Sequence, residues 1–197
     1  VQSRVYAINL LFATVVLEFF KSWRPNGGIF KLSYDQAKRN HEKEKPYAAV
    51  FSDEKPRFVV QVHFFYKKGY FCSVSYLNEN LEMIRLEGYQ FHNQQLFLRN
   101  VQVLYYDAGE NSGVSYLYET DGRYRKRIDY KDFRNEVEYG TCDVSSHFRE
   151  MIQFGNYDSI LSEEAKRVLR ECEGKSKETS GQSKVMVNEG MSLGTPG

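Results

Sequence analysis

The stretch FVVQVHFFYKKGYFCSVSY, Phe58 to Tyr76, sets a histidine and a cysteine on either side of a Lys-Lys-Gly turn. Read as a β-hairpin, its register decides which side chains share a face, because a one-residue slip exchanges the faces. A three-residue loop, Lys67-Lys68-Gly69, places Gly69 in the left-handed position of a G1 bulge. Tyr66 then opposes Tyr70, Phe64 opposes Cys72, Val62 opposes Val74 and Val60 opposes Tyr76. All of these suit an apolar face. The other face takes Phe65 with Phe71, His63 with Ser73, and Gln61 with Ser75. A two-residue loop would instead oppose core residues to polar ones. His63 and Cys72 therefore point to opposite sides of a sheet and form no dyad, and Cys72 reads as a small buried hydrophobe.

The next turn, Asn78-Glu79-Asn80, repeats the arrangement. It opposes Leu77 to Leu81, Val74 to Ile84 and Cys72 to Leu86, which extends the apolar face. On the other face Ser73 meets Arg85. His63, Ser73 and Arg85 then form one row across three strands. That row is either a solvated sheet face or a shallow polar site flanked by Phe65, Phe71 and Met83.

Further along, LFLRNVQVLYYD (Leu96–Asp107) changes its apolar phase between Leu98 and Val101, which predicts a bulge near Arg99-Asn100. SYLYETDGRYRKRIDY (Ser115–Tyr130) reads as a hairpin about a two-residue Asp121-Gly122 turn. In that register Tyr118 opposes Arg125, Tyr116 opposes Arg127 and Leu117 opposes Lys126. Tyrosine rings beside guanidinium groups make cation–π contacts, and the same pairing stacks bases and holds phosphates. The acids that follow, Asp129, Asp132, Glu136 and Glu138, cancel much of the local positive field. A solvated ladder with internal ion pairs is the plainer alternative.

The flanks complete the outline. RVYAINLLFATVVLEFFKSW (Arg4–Trp23) carries Ala7, Thr14, Glu18 and Lys21 on one narrow helical stripe and apolar residues elsewhere. That pattern predicts a helix over Val5–Phe20 buried against a sheet, with an export or membrane signal as the competing reading. SYDQAKRNHEKEKP (Ser33–Pro46) reads as a charged surface helix with a Ser33/Gln36 capping box. Short helices are expected between Asp143 and Gly155 and from Ser162 to near Gly174. Residues 174–197, rich in Gly, Ser and Lys, read as a disordered tail.

At 197 residues the chain has room for one domain with a substantial core. Lys plus Arg, 27, nearly equals Asp plus Glu, 26, so no global charge draws the chain to nucleic acid or an anionic membrane. The three cysteines, Cys72, Cys142 and Cys172, have no C-x-x-C spacing and fit a reducing, cytoplasmic compartment. Phosphate-cradling glycine motifs and the G-x-S-x-G elbow are missing from the sequence. His41, His63, His92 and His147 have no second ligand at a zinc spacing, so no metal or cofactor is expected.

Together these features predict an α+β domain over residues 1–173. An antiparallel meander of six or seven strands, about Tyr47 to Tyr130, would carry the N-terminal helix on its apolar face and short C-terminal helices beside it. The function this supports is a non-enzymatic protein-interaction module, either an immunity-type inhibitor or an assembly subunit. Its surface would be Tyr116, Tyr118, Arg125 and Arg127, and after that His63, Ser73 and Arg85. A single-stranded nucleic-acid binder using the Tyr/Arg hairpin, and a small metal-independent hydrolase or nuclease using His63, are the alternatives.

Overall fold

In the computed structural model of the chain, Val16–Arg24 is a β-strand, β1, not the end of a helix. Phe19 turns into the core, while its neighbour Glu18 turns to the other face and pairs with Lys31. Aromatic and β-branched residues with this period of two suit a pleated surface. An apolar run of this length is compatible with both a strand and a buried helix, so helical period alone misassigns it. Residues 5–15 of the expected helix lie outside the described residues, which are 16–24, 27–65, 70–107, 110–132, 134–163 and 165–167.

Strand β2 (Gly27–Leu32) folds back on β1, and helix α1 (Tyr34–Glu42) follows. Eight strands then run in chain order as an antiparallel meander: β3 (Tyr47–Ser52), β4 (Pro56–Phe65), β5 (Tyr70–Leu77), β6 (Met83–His92), β7 (Gln95–Asp107), β8 (Glu110–Tyr118), β9 (Arg123–Asp129) and β10 (Asn135–Thr141). β1 pairs with β3, so β2 forms one edge of the sheet and β10 the other. A two-residue strand, β11 (Phe148–Arg149), lies beside the first half of β7. The expected six- or seven-stranded α+β meander is thus replaced by an eleven-stranded antiparallel sheet that runs past Tyr130 to Thr141.

What covers the core is also different from the expectation. Helix α1 has the predicted capping box: Ser33 Oγ accepts from the Gln36 N–H at 3.2 Å, and Gln36 Oε1 accepts from the Ser33 N–H at 2.8 Å. Such a cap contributes about 1 kcal/mol. The helix buries Ala37 completely and leaves its charged residues outside. Alongside it, Ile152, Tyr157, Ile160, Leu161 and Ala165 of the C-terminal segment join the core formed by Phe19, Phe58, Val60, Val74 and their neighbours. Each fully buried apolar side chain of this kind contributes roughly 1.5–3 kcal/mol.

The expected helix after Asp143 reduces to a 3-10 turn at Ser145–His147, because Phe148 and Arg149 pair with Phe97 and Leu96 instead. Helical backbone does begin after Ser162, whose Oγ accepts from the Ala165 N–H at 3.2 Å. The tail from Gly174 lies outside the described residues.

Over residues 58–62 and 72–76 the opening hairpin keeps its predicted faces but not its predicted register, and beyond Val62 a further shift sets Phe65 against Tyr70 in place of the expected Phe71. Val62 pairs with Cys72 and Val60 with Val74, a shift of two residues that preserves parity. Cys72 is accordingly buried, and burial pushes its thiol pKa up. The β5–β6 turn departs further. Leu81 takes a left-handed backbone (φ 64°), the loop closes between Asn78 and Glu82, and an irregularity falls between Tyr76 and Leu77. Cys72 therefore opposes Tyr89, Val74 opposes Glu87 and Tyr76 opposes Arg85, so β6 shows the opposite face from the one expected. The bulge predicted near Arg99 is present: Gly88 pairs with Asn100 and Tyr89 with Leu98, which leaves Arg99 between them.

Candidate functional site

The β8–β9 hairpin turns on Gly122, whose φ of 89° is in the left-handed region and whose position a side chain could not share with the Cys142 carbonyl. The loop is Thr120-Asp121-Gly122, closed by Glu119 N–H donating to Arg123 O at 2.8 Å. This is a three-residue loop with a G1-type glycine, not the expected two-residue turn. Register slips by one: Tyr118 pairs with Tyr124, Tyr116 with Lys126 and Leu117 with Arg125. The four residues of the expected Tyr116, Tyr118, Arg125 and Arg127 patch are thereby divided, tyrosines on one face and arginines on the other.

On the core-side face the tyrosines form a ladder. Tyr116 and Tyr118 stack with centroids 5.9 Å apart, and Tyr124 lies 6.5 Å and 6.3 Å from them. The His147 ring meets Tyr118 edge-on at 4.4 Å, and its pKa is lowered, chiefly by burial. Beyond Tyr124 the ladder becomes polar. Glu138 accepts from the Tyr124 hydroxyl at 3.0 Å and from Lys126 Nζ at 3.2 Å. These bonds hold the Glu138 carboxyl below its usual pKa and raise that of Lys126. Around Glu138 this face is internally satisfied, although His147 Nδ1 is buried with no hydrogen-bond partner among the described residues.

The opposite face of β8–β10 is not. One row runs Leu117–Arg125–Tyr139 and the next Ser115–Arg127–Val137. Tyr139 is 75% exposed and Val137 47% exposed. Arg127 is held by Asp129 at 2.7 Å and Arg123 by Asp121 at 2.7 Å, whereas Arg125 makes no ion pair among the described residues. Two apolar or aromatic side chains thus stand in water beside two guanidinium groups. Sequence reasoning missed Val137 and Tyr139 because the strand was expected to end near Tyr130. Their alternation with Glu136 and Glu138 was the available signal.

The second expected set is not assembled. Ser73 pairs with Gln61 and Gly88, and Arg85 pairs with Tyr76 and Val103, so the His63–Ser73–Arg85 row does not form. His63 follows Val62 where the β4–β5 register breaks, and burial lowers its pKa. Arg85 instead serves a buried polar cluster that the sequence did not disclose. Glu87, 4% exposed, takes Arg85 Nε at 2.8 Å on one oxygen and the hydroxyls of Tyr89 (3.0 Å) and Tyr76 (3.3 Å) on the other. Tyr76 in turn accepts from the Ser162 N–H at 3.0 Å, and the single Tyr89 hydroxyl proton is shared between Glu87 and the Ile160 carbonyl, also at 3.0 Å. Burial, with the Glu87 charge beside it, pushes the Tyr76 pKa up to about 12. The cluster fastens the C-terminal segment to the sheet.

Chemistry-bearing groups elsewhere are dispersed. Tyr157 donates to the Tyr47 hydroxyl at 3.2 Å, which lies 3.0 Å from His41 Nδ1, deep among aromatic rings. A cleft of about 450 Å³ is lined by Arg149, Glu150, Asp158, Ser159 and Lys166, among others. Within it Arg149 Nη1 donates to the Phe148 carbonyl at 3.0 Å, and Lys166 pairs with Glu163 at 2.8 Å. Lys166 is thus ion-paired, and Arg149 spends one nitrogen on main-chain carbonyls. Among the described residues no group of three His, Cys, Asp or Glu could hold a metal ion. No helix among them is long and apolar enough to cross a membrane. Comparison with protein-family models, with curated proteins and with solved structures found no match.

Proposed function

We propose that this chain works by binding another protein through the solvent face of β8–β10, centred on Tyr139, Val137, Arg125 and Arg127. The observation that carries this is the exposure of Tyr139 and Val137 beside an arginine that makes no ion pair among the described residues. Tyrosine and arginine concentrate binding energy at interfaces, since each brings a large amphipathic surface. An immunity-type inhibitor and an assembly subunit would both use such a face. The dispersal of His63, Ser73 and Arg85 favours binding over catalysis. The nucleic-acid alternative loses its pair of stacking rings with the slip at Gly122, because Tyr116 and Tyr118 no longer share a face with Arg125 and Arg127 and Tyr139 alone stands beside them.

The test is a partner recovered with the wild-type chain from its native extract and then titrated as a purified protein. Tyr139→Ala combined with Arg125→Glu should weaken that binding at least tenfold and leave the melting temperature unchanged. Lys126→Gln, on the other face, should leave binding intact. Full affinity in the double variant would remove this face from consideration.

A further inference from the structure

The outer edge of the sheet supports a more specific statement, which rests on the reading of β8–β10 as a binding surface. All seven residues of β10 pair with β9 in one unbroken register. The hydrogen-bond phase is fixed at both ends of that ladder: Tyr130 N–H donates to Arg134 O, and Cys142 N–H donates to Gly122 O, each at 2.9 Å. Antiparallel pairs alternate between bonded and non-bonded positions. The even positions, Glu136, Glu138 and Gly140, therefore spend their backbone groups on β9. Asn135, Val137, Tyr139 and Thr141 turn theirs away from the sheet, toward water. The result is a regular template for one more strand.

The other edge is not such a template. In β2, Phe30 takes a left-handed backbone (φ 53°) and Gly27 has φ 112°, which breaks the regular spacing of outward groups. Charge then selects what β10 can accept. Glu136 and Glu138 lie on one face of the edge, where Lys126 of β9 offsets one of the two negative charges through Glu138, and Val137 and Tyr139 lie on the other. In two of the antiparallel registers open to a second β10, Glu138 would face Glu138 or Glu136, which is unfavourable. Opposite charge and matching apolar bulk are favoured instead. We propose that β10 accepts, by strand addition, an extended segment of a partner protein in which Lys or Arg alternates with Val, Ile or an aromatic residue.

The experiment uses the full chain and two synthetic nine-residue peptides, one alternating Lys with Val and Tyr, the other with Glu in place of Lys. The Lys peptide should bind about tenfold more tightly than the Glu peptide and slow exchange of the Val137 and Tyr139 amides. Glu136→Lys with Glu138→Lys should reverse the preference. Val137→Pro removes an outward donor without touching the β9 ladder, so it should abolish peptide binding while the chain stays folded. Equal binding of both peptides, binding undisturbed by Val137→Pro, or self-association through β10 on sedimentation would each overturn strand addition. A native partner lost by Tyr139→Ala with Arg125→Glu but kept by Val137→Pro would overturn strand addition alone. A partner indifferent to both variants would overturn the binding face as well.

Discussion

Strands β3 and β10 are similar in length and sit in the same sheet, yet they share almost no property beyond that. In β3, Ala48 and Val50 are buried on one face and Tyr47, Ala49 and Phe51 on the other, so the strand is covered on both sides. In β10 every residue but Gly140 is exposed. The sequences foretell this: Tyr-Ala-Ala-Val-Phe is a continuous apolar run, and Glu-Val-Glu-Tyr alternates. One register row shows the transition across the sheet, passing from Phe19, Ala49, Val60 and Val74 through Glu87 and Val101 to Tyr116, Lys126 and Glu138. The lesson is a division of labour. Folding energy is concentrated at β1–β7, beneath α1 and the C-terminal segment, and the β8–β10 end is left with surface to present.

That division can be broken most sharply by truncation. Phe58 is buried and stacks on Phe51 at 4.5 Å. Phe58→Ala should cost about 3–5 kcal/mol in urea unfolding. Tyr139→Ala should stay within about 0.5 kcal/mol of wild type. Comparable losses at the two positions would mean that the outer strands carry the fold after all. A smaller effect sharpens the boundary between the two ends. Glu87→Gln weakens the bonds to Arg85, Tyr76 and Tyr89 together, and should destabilise the chain by about 1–3 kcal/mol. Because those tyrosines also hold Ser162 and Ile160, limited proteolysis of the variant should cut first within the C-terminal segment.

Local signals in the sequence were read well where one residue determines one geometry. The Ser33/Gln36 capping box and the Arg99 bulge are both where composition places them. The apolar face of Val60, Val62, Cys72 and Val74 also survives, because a two-residue shift returns every side chain to its own side. What could not be read depends on odd shifts and on partners distant in sequence. Nothing in Asp121-Gly122 distinguishes a two-residue from a three-residue loop until the Cys142 carbonyl packs against Gly122. The irregularity between Tyr76 and Leu77 has no Gly or Pro to mark it. Glu87 looks like a surface residue, since its burial depends on hydroxyls supplied by Tyr76 and Tyr89. Leu86 looks like core and instead faces away. β1 was misassigned because its apolar run satisfied a helical stripe as readily as a strand.

Residue-resolved amide hydrogen exchange on the unbound chain bears most directly on the open edge. Within β10 the amides of Glu136 and Glu138 should be protected by their bonds to β9, while those of Val137 and Tyr139 exchange near the rate of an unstructured chain. Both pairs should exchange faster than the amides of β3 and β4. Equal protection of all four β10 amides would show that the edge is already occupied, and would contradict the account.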